Sequence, residues 1–233
     1  ANKIWNASRF VIQALEGLSL DSESPSAQSP ANDWTLADSW IWARLQALVR
    51  DVERLFQNFQ YGEAGRLVYD FFWGDFADWY VEIAKLQLNQ GGDRAKSTAA
   101  TLVRVLDVSL RLLHPFTPFV TEELWGHLKR AVQEARLAVA PEEWPEALIV
   151  APWPAPRPLE GWEAGKIADF SLVQEIVRSL RNLRSEKKVQ PGRRIPAVFV
   201  SESAAPVLRE QSPAIAALAG LDPGRIEIHK AIP

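Results

Sequence analysis

The stretch that decides the fold is Phe71-Phe72-Trp73-Gly74-Asp75-Phe76-Ala77-Asp78-Trp79-Tyr80-Val81-Glu82-Ile83-Ala84-Lys85. Apolar side chains recur here and in the flanking turns at intervals of three and four residues, which predicts one amphipathic helix. Its apolar positions are Tyr61, Ala64, Val68, Phe71, Phe72, Phe76, Trp79, Ile83 and Leu86. Four charged residues lie on this face or at its margins: Asp75, Asp78, Glu82 and Lys85. Either the helix is buried with ion pairs at its edge, or that edge faces a ligand.

The composition is that of an ordinary globular protein, with 233 residues, 47% of them hydrophobic and 24% charged. The absence of cysteine excludes disulfides and thiolate metal sites. Three scattered histidines (His114, His127 and His229) do not predict a metal site. No apolar run approaches the length that spans a bilayer. We therefore expect a cytoplasmic protein without membrane contact, and we expect it to be a monomer.

The formal net charge is -3, so any nucleic-acid surface must come from local clusters of basic residues. The chain begins at Ala1 inside a helical pattern and stops at Pro233 just after a strand-like run. These two ends lead us to expect a fragment of a longer protein, whose other parts could carry chemistry of their own.

Residues 1–138 predict an antiparallel, mostly up-and-down bundle of five helices. The first runs from Asn2 to Glu16, the second begins near Leu36, and the third contains residues 71–85. The fourth covers residues 94–113. Thr117-Pro118 starts the fifth, since Thr caps helices well and Pro suits their first position. The inward positions predicted for the second and fifth helices are Leu45, Leu48, Val52, Leu55 and Phe59, then Phe119, Val120, Leu124, Trp125, Leu128 and Val132.

Polar side chains on the first two helices are candidates for contacts with a nucleic acid. Asn2, Asn6, Arg9 and Gln13 form a stripe at helical spacing. Carboxamide and guanidinium groups hydrogen-bond base edges, although a solvated face also explains the stripe. Trp40 and Arg44 lie four residues apart near the start of the second helix. Trp40 is either a core residue, which its spacing favours, or a stacking platform for a base.

The sequence changes character after the bundle. Residues 139–165 are rich in Pro and Trp and predict a connector packed on the bundle. Residues 166–233 predict a small α/β module, with helices at 169–186 and 205–218 and strands at 195–200 and 225–229. We call one set of its basic residues the basic strip: Arg178, Arg181, Arg184, Lys187 and Lys188. This strip is either a solvated face or a set of phosphate contacts, which position a nucleic acid without reading its sequence.

Several stretches occur in the order found in one protein family. They are Lys3-Ile4-Trp5-Asn6-Ala7-Ser8-Arg9-Phe10, Trp73-Gly74-Asp75-Phe76-Ala77-Asp78-Trp79-Tyr80, His114-Pro115-Phe116-Thr117-Pro118-Phe119 and Arg181-Asn182-Leu183-Arg184-Ser185-Glu186-Lys187-Lys188. The chain resembles the C-terminal anticodon-binding region of class I aminoacyl-tRNA synthetases of the valyl type. The resemblance covers nearly the whole chain. It implies a mainly α fold, in which the helical bundle is followed by the small α/β module.

The resemblance also implies a function. The parent enzyme joins valine to its tRNA with ATP and Mg²⁺, whereas this fragment recognises the anticodon stem-loop of tRNA(Val) without chemistry, cofactor or metal. In this hypothesis the anticodon bases contact Asn6, Arg9, Trp40, Arg44 and Lys85, and the basic strip holds phosphates. The catalytic and editing domains of the same enzyme are the other expected partners.

The sequence departs from the family pattern in three ways. It lacks the catalytic motifs and the editing domain, it lacks the family's coiled-coil arm, and it carries Ser39 where the family often places Arg. Two alternatives stay open, namely the corresponding region of an isoleucyl-tRNA synthetase and a non-catalytic structural docking module. No nucleophile–base pair, metal cluster or Gly-rich phosphate loop supports a complete enzyme.

Overall fold

The computed structural model describes residues 2–18, 34–135, 137 and 144–230. The chain divides into two compact units, Ala1–Glu163 and Ala164–Pro233. Both contain helices, and the described strands lie in the second unit. The predicted fold class, a helical bundle followed by a small α/β module, is confirmed. Among the described helices, none is both long and apolar enough to cross a membrane.

The first unit is helical from its first described residue. Its elements are α1 (Asn2–Glu16), α2 (Leu36–Gln57), α3 (Tyr61–Asp70), a π-helical segment (Phe71–Tyr80), α4 (Val81–Leu88), α5 (Gly92–Leu113), α6 (Pro118–Glu134) and a 3-10 turn (Leu148–Val150). Helix α5 is central, because it contacts α1, α2, α3, α4 and α6. The predicted bounds of the first helix are confirmed.

The deciding stretch is wound as a π-helix over ten residues, between α3 and α4. At its end the Val81 N–H donates to the Phe76 carbonyl, five residues back. The predicted helix is therefore continuous, but its middle is wound as a π-helix, which the three-to-four spacing did not predict. A π-helical turn holds more residues than an α-helical turn, so more side chains reach the same side. Five aromatic residues of the segment are buried: Phe71, Phe72, Phe76, Trp79 and Tyr80.

A fully buried carboxylate, Asp38, joins three helical elements. Asp38 and Thr35 form a capping box at the start of α2, in which each side chain bonds to the other residue's backbone N–H. The hydroxyl of Tyr80 donates to Asp38 Oδ1 at 2.6 Å, and Arg94 Nη1 lies 3.3 Å from Oδ2. Burial raises the pKa of Asp38, although the hydrogen bonds from Tyr80 and Thr35 and the charge of Arg94 oppose the shift.

The network continues into α4 and α5. Gln87 Nε2 donates to Thr35 Oγ1 at 2.7 Å, and Thr98 Oγ1 donates to Gln87 Oε1 at 3.0 Å. Because a buried polar group left without a partner is costly, each of these bonds restricts how the helices can pack. The start of α2, the end of α4 and the start of α5 are thereby held together.

Three aromatic residues predicted to point inward are exposed instead. The α2 helix ends at Gln57, and Phe59 lies in the following turn with φ 58° and 79% of its surface exposed. Tyr61 begins α3 and is 48% exposed, while Phe119, in the first turn of α6, is 92% exposed. Each of these residues lies beyond the end of a helix or in the first turn of one, where helical spacing does not determine burial.

The described part of the connector is held against the bundle by polar contacts. Glu122 of α6 accepts from the backbone N–H groups of Leu148 and Ile149, and Arg111 of α5 donates to the Pro152 carbonyl at 3.1 Å. Gln46 of α2 accepts from the Arg157 N–H at 2.9 Å. The connector therefore crosses α6, α5 and α2 in that order.

The second unit contains most of α7 (Glu163–Glu186), then β1 (Ile195–Val200), α8 (Ala205–Ala219) and β2 (Leu221–His229). The strands pair in parallel, with Val198 opposite Glu227 and Val200 opposite His229. Helix α8 connects them and packs on β2, as parallel pairing requires. Helix α7 and strand β2 begin earlier than the predicted residues 169 and 225.

The raised pKa of Asp38 predicts a pH dependence of stability. A carboxyl whose pKa rises on folding contributes stability at low pH that is lost as the pH climbs from 3.8 through the raised pKa. Asp38→Asn removes this titration and places an amide N–H against the Thr35 N–H, at a cost of about 1–3 kcal/mol. We expect the stability difference between the wild type and the variant to be largest in mild acid and to narrow towards neutral pH.

Urea unfolding of both proteins across this range measures the difference. The control is Asp51→Asn, which removes an exposed carboxylate from the same helix. A difference that widens towards neutral pH would contradict the raised pKa.

Candidate nucleic-acid interface

A groove of about 270 Å³ lies between α1 and the helical run that joins the π segment to α4. Helix α1 contributes Lys3, Asn6, Ala7 and Phe10, and the opposite wall consists of Ala77, Asp78, Val81, Glu82 and Lys85. The structure thus brings together two predicted base contacts, Asn6 and Lys85. Both side chains are exposed.

The charges in the groove are balanced. Lys3 pairs with Asp78 and donates to the Trp73 carbonyl at 3.2 Å, and Lys85 pairs with Glu82 at 2.7 Å. The interpretation of a helix with ion pairs at its edge is therefore confirmed, and the interpretation that this edge faces a ligand stays a prediction. Donors and acceptors side by side suit the edges of bases better than phosphates, which need an excess of positive charge.

Phe10 is a groove residue that the sequence interpretation missed. Its ring is half-buried in the wall, and Lys85 Nζ lies 5.6 Å from the ring centroid. The spacing of Lys3, Asn6 and Phe10, three and then four residues, places them on one helical face and could have identified it. An aromatic ring beside a carboxamide is an arrangement that can hold an unstacked base.

The other predicted base contacts lie outside the groove lining. Arg9 is exposed on α1, three residues beyond Asn6, and Arg44 of α2 pairs with Asp75 at 2.9 Å. Trp40 is only 2% exposed, so its ring is not available to a base. This corrects the prediction that Trp40 faces the anticodon, and the alternative of a core residue describes it.

Four members of the basic strip are exposed on or just after α7, namely Arg178, Arg181, Lys187 and Lys188. Arg181 Nε donates to the Leu218 carbonyl in the last turn of α8, at 2.9 Å. Lys188 ends the helical run with φ 52°. These side chains form a cationic surface of the second unit.

Arg184, the fifth member, is half-buried and holds the second unit together. Its guanidinium donates to the carbonyls of Gly220 at 3.0 Å, Gln190 at 3.3 Å and Arg193 at 2.9 Å. Gly220 has φ +68°, and a Cβ there would lie 3.2 Å from Arg184 Cζ, so glycine permits this close approach. This corrects the prediction for Arg184, whose N–H groups are largely used by backbone carbonyls.

Candidate centres for chemistry are few among the described residues. No group of three or more His, Asp and Glu side chains in those ranges could hold a metal ion. His114 lies at the α5–α6 corner, where Nδ1 is 2.9 Å from Thr121 Oγ1.

Comparison with known proteins identifies the family. A family model described as the anticodon-binding domain of tRNA ligase matches residues 38–199. The chain belongs to this family. It is 43% identical to a valine–tRNA ligase of Dehalococcoides mccartyi over 97% of the chain and 24% of the relative. It is also 43% identical to the valine–tRNA ligase of Bacillus subtilis over 80% of the chain, and 40% identical to that of Geobacillus stearothermophilus over 84%.

The anticodon-binding domain described here is shorter than these relatives. The chain spans about a fifth to a quarter of their length, with 19% of the B. subtilis protein and 20% of the G. stearothermophilus protein covered. These relatives favour the valyl over the isoleucyl alternative.

The bonds of Arg184 predict that Arg184→Lys destabilises the second unit. A lysine is a point charge without the planar fork, so it cannot donate to three separate carbonyls in this geometry. Because hydrogen bonds from charged groups each contribute about 1.5–3 kcal/mol, we expect a loss of about 2 kcal/mol. Amide hydrogen exchange of α8 and β2 measures it.

Lys187→Gln is the matched control, since Lys187 is exposed on the same helical run. It should change stability by less than about 0.5 kcal/mol. Equal protection of α8 in both variants would show that Arg184 does not support the unit.

Proposed function

We propose that this chain is the anticodon-binding part of a valine–tRNA ligase. The whole protein would attach valine to tRNA(Val) in the cytoplasm, with ATP and Mg²⁺ bound by other parts of the polypeptide. Family membership and 43% identity over nearly the whole chain support the assignment. The observation that carries the role of this part is the balanced groove, which combines an aromatic ring, a carboxamide and paired charges.

The proposed mechanism is capture of unstacked anticodon bases in the groove. The ring of Phe10 offers a stacking surface, and the Asn6 carboxamide offers both a donor and an acceptor. The Lys85–Glu82 pair can open to present an ammonium and a carboxylate, because an exposed ion pair stabilises by only about 0–1 kcal/mol. Arg9 is exposed one turn beyond Asn6 and would act at the rim.

The cationic surface of the second unit would bind the RNA backbone. Lys187 and Lys188 are both exposed. Such contacts give affinity that falls with salt and do not depend on sequence. Base selectivity and salt dependence are therefore assigned to different units.

A second candidate function is docking onto another protein surface. Exposed apolar residues of the first unit favour it, since Phe59, Phe119 and Ile149 are each more than 70% exposed. Docking onto a protein surface is compatible with anticodon recognition, so both functions can belong to this chain. Failure of the chain to bind any stem-loop would leave docking as the favoured function.

The groove predicts that Phe10→Leu weakens binding of a valine-anticodon stem-loop. Leucine keeps an apolar side chain but removes the flat ring, and one base–aromatic stack contributes about 1–3 kcal/mol. We expect the dissociation constant to rise about tenfold or more, and discrimination against a stem-loop with a changed middle base to fall. Fluorescence anisotropy with both RNAs measures this.

Gln13→Ala is the control for this experiment, because Gln13 is exposed on α1 but does not line the groove. It should leave both dissociation constants unchanged. If Phe10→Leu behaves like Gln13→Ala, the groove does not hold a base.

The basic strip predicts a change in salt dependence without a change in selectivity. Replacing both Lys187 and Lys188 with Gln should lower the slope of log K against log salt by about two, or about one for each lost phosphate contact. The ratio of affinities for the two stem-loops should stay constant. Arg66→Gln, an exposed arginine paired with Asp70, is the control, and an unchanged slope in the double variant would remove the strip from the interface.

A further inference from the structure

Two aromatic rings lie stacked on the helical run that forms one wall of the groove. Tyr69, in the last turn of α3, and Trp73, in the π segment, have ring centroids 4.2 Å apart and ring planes 16° from parallel. Trp73 is half-buried, whereas Tyr69 is 50% exposed. Since Trp73 covers one face of the Tyr69 ring, the ring is accessible from the opposite side. We call Tyr69 and Trp73 the stacked pair.

The stacked pair continues the groove wall. Residues at intervals of four follow one another along one uninterrupted helical run, namely Tyr69, Trp73, Ala77, Val81 and Lys85. Four residues are slightly more than one α-helical turn and slightly less than one π-helical turn, so the two windings together keep these residues in line. Ala77, Val81 and Lys85 line the groove. The stacked pair therefore extends the same side of the run beyond the groove.

A hydrogen bond joins the stacked pair to the opposite wall of the groove. Lys3 of α1 lines the groove, and its Nζ donates to the Trp73 carbonyl at 3.2 Å while the same ammonium pairs with Asp78. Helix α1 therefore reaches the residue on which Tyr69 is stacked. The groove and the stacked pair lie next to each other, with Lys3 at their boundary.

The charges beside the stacked pair are balanced, as they are in the groove. Arg66, three residues before Tyr69, pairs with Asp70 at 3.4 Å, and Lys3 pairs with Asp78. Without an excess of positive charge, this surface does not favour phosphates. Every base has a flat π face that stacks on aromatic rings, so the accessible side of Tyr69 suits an unstacked base.

The contact with Trp73 also prepares Tyr69 for such a base. A tyrosine that already lies against another ring has lost its rotamer freedom before a ligand arrives, so a further ring is added to the stack at a lower entropic cost. Two apolar side chains four residues apart also stabilise a helix, which is the structural explanation for the pair. The two explanations differ in whether a base contacts Tyr69.

We propose that the accessible side of Tyr69 is a second base-stacking site, which takes an unstacked base of single-stranded RNA. The helical run from Tyr69 to Lys85 is about 20 Å long. Neighbouring stacked bases are only about 3.4 Å apart, so the base on Tyr69 differs from the base held beside Phe10 and Lys85. The identity of the RNA, a valine-anticodon stem-loop, rests on the proposed function, whereas stacking on Tyr69 does not.

The first arm of the test measures binding of this stem-loop to the whole chain by fluorescence anisotropy. Tyr69→Leu removes the flat ring and should raise the dissociation constant about tenfold, whereas Tyr69→Phe keeps the ring and should bind like the wild type. Tyr61→Leu is the matched control, because Tyr61 is 48% exposed on the same helix but its ring packs on Phe56 of α2. It should leave the dissociation constant unchanged.

Two results of this arm contradict the proposal. If Tyr69→Leu binds as tightly as Tyr61→Leu, no base contacts the Tyr69 ring. If Tyr69→Phe binds as weakly as Tyr69→Leu, the hydroxyl group rather than the ring makes the contact, and stacking is overturned.

Stem-loops that each lack one loop base separate stacking from a structural effect. They are titrated against the wild type, Tyr69→Leu and Phe10→Leu. At one abasic position Tyr69→Leu should cost no further affinity, because the base that it would release is already absent. This position should differ from the one that is insensitive to Phe10→Leu. The proposal is overturned if Tyr69→Leu weakens every stem-loop by the same factor, or if both variants are insensitive at one shared position.

An unstructured oligouridine decides the proposal even if the wild type binds no stem-loop. Base–aromatic stacking tolerates any sequence, so Tyr69→Leu should weaken the binding of oligouridine as well. Loss of stem-loop binding together with oligouridine binding that depends on Tyr69 would end the proposed function and keep the stacking site. Failure of the wild type to bind either RNA would overturn both.

Discussion

The buried carboxylate of Asp38 is the constraint on which the bundle depends. A charge without solvent must be surrounded by donors, and these come from Thr35, from Tyr80 and from Arg94. Through Thr35 the network extends to Gln87 and Thr98. Misplacing any of these elements would leave a buried polar group unpaired. The same bonds fix the far end of the π segment, which forms one wall of the groove together with α4.

The π segment shows why the sequence predicted a helix here but not its winding. The hydrogen bond from the Val81 N–H to the Phe76 carbonyl spans five residues, as in a π-helix, yet the aromatic run contains pairs three and four residues apart. Because nearly every second residue is apolar, both periods fit, and packing decides between them. Two carboxylates of the segment pair with two different helices. Asp75 pairs with Arg44 of α2, and Asp78 pairs with Lys3 of α1.

Helix positions and the fold class were predictable because they depend on local spacing and on residues such as Pro that favour the first helical position, as the bounds of α1 and the Pro118 start of α6 show. Thr117, predicted to cap α6, makes no side-chain cap bond there. Exposure was less predictable, since it depends on where neighbouring helices end, and spacing could not show that Phe59 and Phe119 project beyond them. The candidate site divides in the same way. The placement of Asn6 and Lys85 beside the groove was predictable from one helix face and one sequence motif. The structural role of Arg184 was not predictable, because it depends on carbonyls up to 36 residues away.

Arginine and lysine side chains serve different purposes in this chain, and the partner of each side chain distinguishes these purposes better than its charge does. Lys3 and Lys85 are matched by carboxylates within the groove, which leaves it suited to neutral bases. Arg184 is matched by carbonyls and stabilises a unit, even though it lies within the strip that looked most suited to phosphate. Arg50 has one guanidinium nitrogen that is enclosed without a hydrogen-bond acceptor, and burial lowers the pKa of Arg104. A count of positive charges along the sequence would treat the five members of the strip alike, whereas their partners show that Arg184 is structural.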